Sequence, residues 1–209
     1  MLSGIWQGAL EYLAPRKCAL CGLISDDCPC PQCTGEFVPT QPISSFEEAG
    51  PLAFRASLFL YEGRAAQAVR RLKYARSTSL VSSMAEEIAQ GVERLAFTGI
   101  VVPVPIHWTR LYSRGFNQAE LLCERLPYRK DLLRRVRATK PQVGLNREQR
   151  LRNLKGAFAA SPEVRGNDVL LIDDVVTSGQ TARECALALK EQGAREVSIL
   201  AFCGEAGWD

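Results

Sequence analysis

The chain has 209 residues, 46% hydrophobic and 23% charged, with a formal net charge of +3 and a single histidine. That length holds one sizeable core and a small module, in a composition ordinary for a soluble protein. No run approaches the roughly 18 apolar residues a membrane span needs, and residues 2–14 contain Glu11 and are followed by Pro15-Arg16-Lys17, the wrong polarity for a secretory signal. The expectation is a cytoplasmic protein with a short N-terminal amphipathic helix and no membrane span.

Five of the eight cysteines fall between positions 18 and 33. Cys18-Ala-Leu-Cys21 and Cys30-Pro-Gln-Cys33 are two Cys-x-x-Cys knuckles, the spacing at which two thiolates grip one tetrahedral zinc ion. Two such pairs make a closed four-cysteine site, and closed zinc sites are structural. A disulfide pair or a redox Cys-x-x-Cys is the alternative; a reducing cytoplasm disfavours the first and the absence of a local βαβ pattern the second. Cys28, two residues before Cys30, could take its place as a ligand. Cys123, Cys185 and Cys203 stand alone in apolar patterns and read as small buried hydrophobes.

Residues 34–52 carry three prolines and several acids without periodicity, which suggests a linker and a division into residues 1–50 (N-terminal helix, zinc module, linker) and 51–209 (main domain). Alternation from Leu52 to Leu60 predicts an edge strand. Residues 65–75 and 80–95 read as helices, the second with Met84, Ile88, Val92 and Leu95 on one face. Arg70, Arg71 and Lys73 on the first suit its C-terminal dipole, and a solvated face is the plain reading of Arg70 and Arg71 above all. Ile100 to Pro105 is a short apolar strand ending in a proline-stiffened turn, and a helix is expected from Phe116 to Leu126. The turn between them holds His107, read as a loop residue, and cations. A strand, a tight loop and then Arg110 or Arg114 is what a pyrophosphate pocket requires, with Val104 and Pro105 at its base.

Charge is uneven along the chain. Residues 101–155 hold thirteen cations against four acids, a balance of +9, while residues 1–50 balance at −4 and 156–209 at −5. Ten of those cations lie between Arg129 and Lys155, around a flexible-looking stretch at 139–144. They could close over a polyphosphate ligand as a lid, Arg147, Arg150 and Lys155 among them, or follow a nucleic-acid backbone, with Arg134, Arg135 and Arg137 in contact.

Val169 to Ile172 is an apolar run too short for a helix, suited to a strand buried on both faces of a parallel sheet. Asp173 and Asp174 are expected to end it, at the position where open α/β sheets bind ligands. Val176, Thr177, Ser178, Gly179, Gln180 and Thr181 then form a small-residue turn leading into a helix at 181–192, a cradle for an anion on free backbone N–H groups. Two carboxylates beside a phosphate cradle make sense when the ligand pairs its phosphate with a polyol, because ionised carboxylates accept hydroxyl protons in charge-assisted bonds. A ribose 5-phosphate meets that demand. A last apolar strand follows at 196–203.

The strand, acidic pair and Thr-Ser-Gly-Gln-Thr loop resemble the phosphoribosyl-pyrophosphate (PRPP) motif of type I phosphoribosyltransferases. With the cysteine pairs, Leu72-Lys73-Tyr74, Val102-Pro-Val-Pro105, Arg114-Gly-Phe-Asn-Gln118, residues 145–150 followed by Asn153, and Ala157-Phe158, the chain resembles the ComF family over residues 18–204. That family joins a zinc ribbon to a phosphoribosyltransferase-like domain and includes competence-associated and GntX-like proteins. The resemblance implies an α/β fold, a type I phosphoribosyltransferase-like parallel sheet of roughly five strands flanked by helices after a small zinc-ribbon module. It places Asp173 and Asp174 on ribose hydroxyls, residues 176–181 around the 5-phosphate, and Mg²⁺ with the ligand. Thr177 departs from hypoxanthine-guanine phosphoribosyltransferases, where Asp at that position can act as base; purine salvage by that route is therefore not expected. Two functions follow: PRPP binding in DNA uptake, with single-stranded DNA or a DNA-processing partner, or transfer of phosphoribosyl to an acceptor that the sequence does not identify, by a catalytic group it does not identify either.

Overall fold

The computed structural model describes residues 15–40, 50–75, 77–137 and 154–205. The expected helix at 2–14, the stretch at 139–144, and Arg147, Arg150 and Asn153 lie outside them. In chain order the elements are α1 (Pro31–Thr34), β1 (Arg55–Leu60), α2 (Gly63–Ala75), α3 (Val81–Arg94), β2 (Ile100–Pro103), α4 (Trp108–Arg114), α5 (Gln118–Leu122), β3 (Leu133–Arg135), β4 (Phe158–Ala160), β5 (Val169–Val176), α6 (Gln180–Glu191) and β6 (Val197–Gly204).

Four strands form an entirely parallel sheet in the order β1-β6-β5-β2, so β5 and β6 are central. Every residue of β6 is buried, as are Val169 to Ile172 of β5. The pleat sends alternate residues to opposite faces. Leu170, Ile172, Leu200 and Phe202 pack with Val69 and Leu72 of α2 and Met84 and Ile88 of α3, whereas Val169, Leu171, Ile199 and Ala201 pack with Ala182, Cys185 and Leu189 of α6. Helices thus cover both faces, which is why these strands carry continuous apolar runs. On the first face α3 comes close to the sheet at Gly91, where a Cβ would stand 2.8 Å from Leu58 Cδ2.

The parallel sheet has four strands among the described residues, not five. β3 and β4 pair antiparallel with each other in a separate ribbon, and at three residues each they are too short to show alternation in sequence. The acids do not end their strand: β5 continues to Val176 because β6 runs beside it, with Asp173 opposite Ala201 and Val176 opposite Gly204. The helix expected at 116–126 is shorter, Gln118–Leu122, and the turn before it contains α4.

The cysteine-bearing segment packs into the same core as the sheet. Phe37 meets Phe59 edge-on at 5.1 Å between ring centres and Phe202 at 6.0 Å. Part of the expected linker is paired: Leu60 N–H donates to Val38 O and Thr40 N–H to Leu58 O, which covers the outer edge of β1. No helix among the described residues is long and apolar enough to cross a membrane.

Candidate functional site

A cavity of about 410 Å³ opens beyond the C-terminal ends of β2 and β5. Its lining includes Val104, Pro105, Arg110, Arg114, Asp173, Asp174, Val176, Thr177, Ser178, Gly179, Gln180 and Thr181, the residues expected at the ribose, 5-phosphate and pyrophosphate positions, whereas Lys155 of the expected lid is not in this lining. Gly179 adopts φ 65° immediately before α6, a left-handed conformation that side chains disfavour, and lies in the cavity lining at the N-terminus of that helix. Lys73, Tyr74, Gln118 and Arg135 also line it.

The acidic pair is held from across the sheet face. Lys73 Nζ on α2 lies 3.0 Å from Asp174 Oδ1, and both side chains are largely buried. Asp174 Oδ2 is buried with no hydrogen-bond partner in the structure. Burial pushes the Lys73 ammonium down, but the charges of Asp174 and then Asp173 outweigh it and its pKa ends up raised. For Asp173, burial is the first cause and the neighbouring Asp174 charge the second; together they push its carboxyl up to about 8, against Lys73 and the Asp174 N–H, which donates to Asp173 Oδ1 at 2.8 Å. Such pairs contribute little net stability, while loss of one partner strands a buried charge at a cost of about 3–5 kcal/mol. The pair therefore poises the acids rather than strengthening the fold.

Cations line the same cavity. Arg110 and Arg114 are one turn apart on α4, and burial followed by the charge of Arg114 lowers the pKa of Arg110. Arg135 of β3 completes the cationic lining, its pKa lowered by burial and then by Arg110. Arg114-Gly-Phe-Asn-Gln118 acts as a joint. Gly115, at φ 87°, ends α4; Asn117 caps α5 by accepting from Ala119 N–H and donates from Nδ2 to Val104 O, which fixes the β2 loop. Gln118 is buried with Nε2 unpartnered. The cavity thus offers both acceptors for hydroxyls and donors for anions.

His107 is not in the lining. It caps α4, its Nδ1 against Thr109 Oγ1 at 2.9 Å. Of the basic block, Arg135 faces the cavity while Arg134 and Arg137 are exposed. Lys73 escaped sequence reasoning because its partner lies 101 positions away. A signal was present: Lys73 follows Val69 by four residues, at the edge of the buried stripe of α2.

Cys18, Cys21, Cys30 and Cys33 form a separate cluster whose Sγ atoms all lie within 4.8 Å of one another. Burial alone would raise the Cys18 thiol, but backbone N–H groups, Cys30 first, outweigh it and bring it down to about 6. Four thiols converging with backbone donors on sulfur suit Zn²⁺. Cys28 stays outside the cluster, its Sγ accepting from Ala19 N–H and meeting Ser79 Oγ at 3.4 Å. Cys123, Cys185 and Cys203 are fully buried in the core.

A family model described as a phosphoribosyl transferase domain matches residues 111–207. The DNA utilization protein YhgH of Salmonella typhi is 32% identical over 200 residues, covering 89% of this chain and 83% of that protein. The chain belongs to the ComF family. YhgH of Escherichia coli (strain K12) is 30% identical over the same shares of the two chains, and competence protein F of Haemophilus influenzae is 32% identical over 133 residues, 59% of this chain and 58% of that one. The ComF chain thus pairs a phosphoribosyltransferase-like domain with a four-cysteine cluster.

Two expectations follow from these sites. Purified protein should contain about one Zn²⁺ per chain and lose order around the cluster on chelation, with Cys28→Ser tolerated and Cys30→Ser not; metal analysis giving the reverse pattern would reassign the ligand. Asp173, whose proton is bound more tightly in the folded chain, makes stability fall as pH rises from about 4 to about 8. Asp173→Asn should flatten that decline, raising Tm at pH 8 but not at pH 4, and an unaltered profile would show that Asp173 ionises as in the unfolded chain.

Proposed function

We propose that the cavity binds PRPP and that the protein acts in DNA uptake in the cytoplasm, together with single-stranded DNA or a DNA-processing protein. The observation that carries the ligand is that Asp173 and Asp174, Arg110 and Arg114, and the 176–181 loop all line one cavity. In this reading the acids accept the ribose hydroxyls and the loop holds the 5-phosphate. Val104, Pro105 and the two arginines receive the pyrophosphate. Asp174 Oδ1 is engaged by Lys73 and only Oδ2 is unpartnered, so the acids form no cage of their own; that suits Mg²⁺ arriving on phosphate oxygens, where it would neutralise charge. Relatives named for DNA utilization and competence support the DNA-associated role, and a zinc module, superfluous for salvage chemistry, fits a contact with nucleic acid or a partner. The division at residues 50 and 51 belongs to the same proposal.

An active transferase is the second reading, favoured by the phosphoribosyl transferase domain that matches residues 111–207. Its catalysis would come chiefly from electrostatic stabilisation of departing pyrophosphate.

Calorimetric titration with PRPP and Mg²⁺ tests the ligand. The double change Asp173→Asn, Asp174→Asn should lower affinity at least tenfold, since each charge-assisted bond contributes about 1.5–3 kcal/mol. Sulfate should bind no worse. Retained PRPP affinity would remove the ribose assignment, and pyrophosphate release over a panel of bases and amines would establish the transferase.

A further inference from the structure

α2 runs from the four-cysteine cluster to the ligand cavity and is pinned by side-chain bonds at both ends. In its first turns Arg64 Nη1 and Gln67 Nε2 each donate to Leu20 O at 3.4 Å, and Arg64 Nη1 also donates to Gln67 Oε1 at 2.9 Å. Leu20 is buried between Cys18 and Cys21, and its own N–H donates to Cys18 Sγ at 3.4 Å. One residue thus holds a sulfur of the cluster and the start of α2 together. From Arg64 the helix rises about 14 Å to Lys73, which meets Asp174, and to Tyr74 in the cavity lining. Helical spacing puts Arg64 and Gln67 on one flank of the buried stripe Ala65, Ala68, Val69 and Leu72, and Lys73 on the other. That stripe packs in one core with Cys18, Leu20 and Cys33. A roll or slide of α2 that slackens one anchor therefore displaces the other.

The effect of a metal on this arrangement follows from charge. Zinc takes cysteine as thiolate, and an N–H bond to a charged sulfur is stronger than one to a thiol. An occupied cluster therefore fixes Leu20, and with it the carbonyl that anchors α2; an opened cluster releases both. We infer that the zinc cluster and the ligand cavity are coupled through α2, with Arg64 and Gln67 as positioning residues that carry the state of the cluster to Lys73 and Asp174. Loss of the metal then lowers affinity for the ligand. Linkage between two binding sites is reciprocal, so a ligand on the acids tightens zinc by the same factor. This rests on the ligand reading above and makes the four-cysteine segment a regulator of that site as well as a part of the fold.

The test measures zinc affinity of the full-length protein by competition against a chelator of known affinity, with and without saturating ribose 5-phosphate. Calorimetry on the zinc-loaded protein establishes that ribose 5-phosphate binds. In the parent, ribose 5-phosphate should tighten zinc about fivefold or more. Arg64→Ala with Gln67→Ala should still bind zinc and ribose 5-phosphate, with a Tm close to that of the parent, but the effect of one on the other should largely disappear. If the double variant melts early, Gln67→Ala alone, which removes one of the two bonds to Leu20 O, should reduce the effect. An equal effect in parent and variant would mean that the ligand stabilises the whole fold, and overturns the route through α2. A parent that binds ribose 5-phosphate with no change in zinc affinity overturns the coupling and leaves the ligand reading in place. A parent that binds zinc but no ribose 5-phosphate overturns the ligand reading, and the coupling with it.

Discussion

Two adjacent carboxylates inside a central strand need a countercharge, and Lys73 supplies it 3.0 Å from Asp174. The constraint reaches far into the chain. α2 must end where its last turn faces β5, which Val69 and Leu72 secure by packing on the same sheet face as Leu170 and Ile172. β1 must lie beside β6 so that the connection into α2 is short, and β1 is in turn held by pairing along its outer edge at residues 38–40. The four-cysteine segment thereby joins the assembly that positions the acids, through Phe37 against Phe59 and Phe202.

The cationic lining obeys a different rule. Anions need donors that remain in place without them, and the cavity supplies these from elements whose ends are fixed by glycine turns and a cap. Gly115 stops α4, Asn117 starts α5 and ties back to Val104, and Gly179 starts α6. Acids and arginines line the same cavity, and Arg135 feels the charge of Asp173 within it. The cost of burying acids there appears in Asp173, whose proton is held more tightly than in a free carboxyl. It appears again in Asp174 Oδ2 and Gln118 Nε2, buried without partners, a pattern in which a bound ligand would complete the missing hydrogen bonds.

Much of this was legible wherever the chemistry is local. Cys-x-x-Cys spacing and the run from Val169 to Thr181 carry their geometry within a few residues, and the structure brings those residues together. What escaped depends on distance or on packing. Lys73 meets its partner only after the sheet assembles. α4 showed no buried stripe because none of its residues is buried. The acids read as the end of a strand because polar residues interrupt an apolar run, yet backbone pairing with β6 is indifferent to side-chain polarity and carries β5 on to Val176. β3 and β4 are too short for any period.

The central claim is that the acidic pair recognises ribose hydroxyls beside a phosphate cradle. Calorimetry comparing ribose 5-phosphate with 2-deoxyribose 5-phosphate tests it most directly, because the two ligands share the phosphate and differ in one hydroxyl. The account predicts that the deoxy ligand binds roughly tenfold or more weakly, the loss of one charge-assisted hydrogen bond. Equal affinities would contradict it.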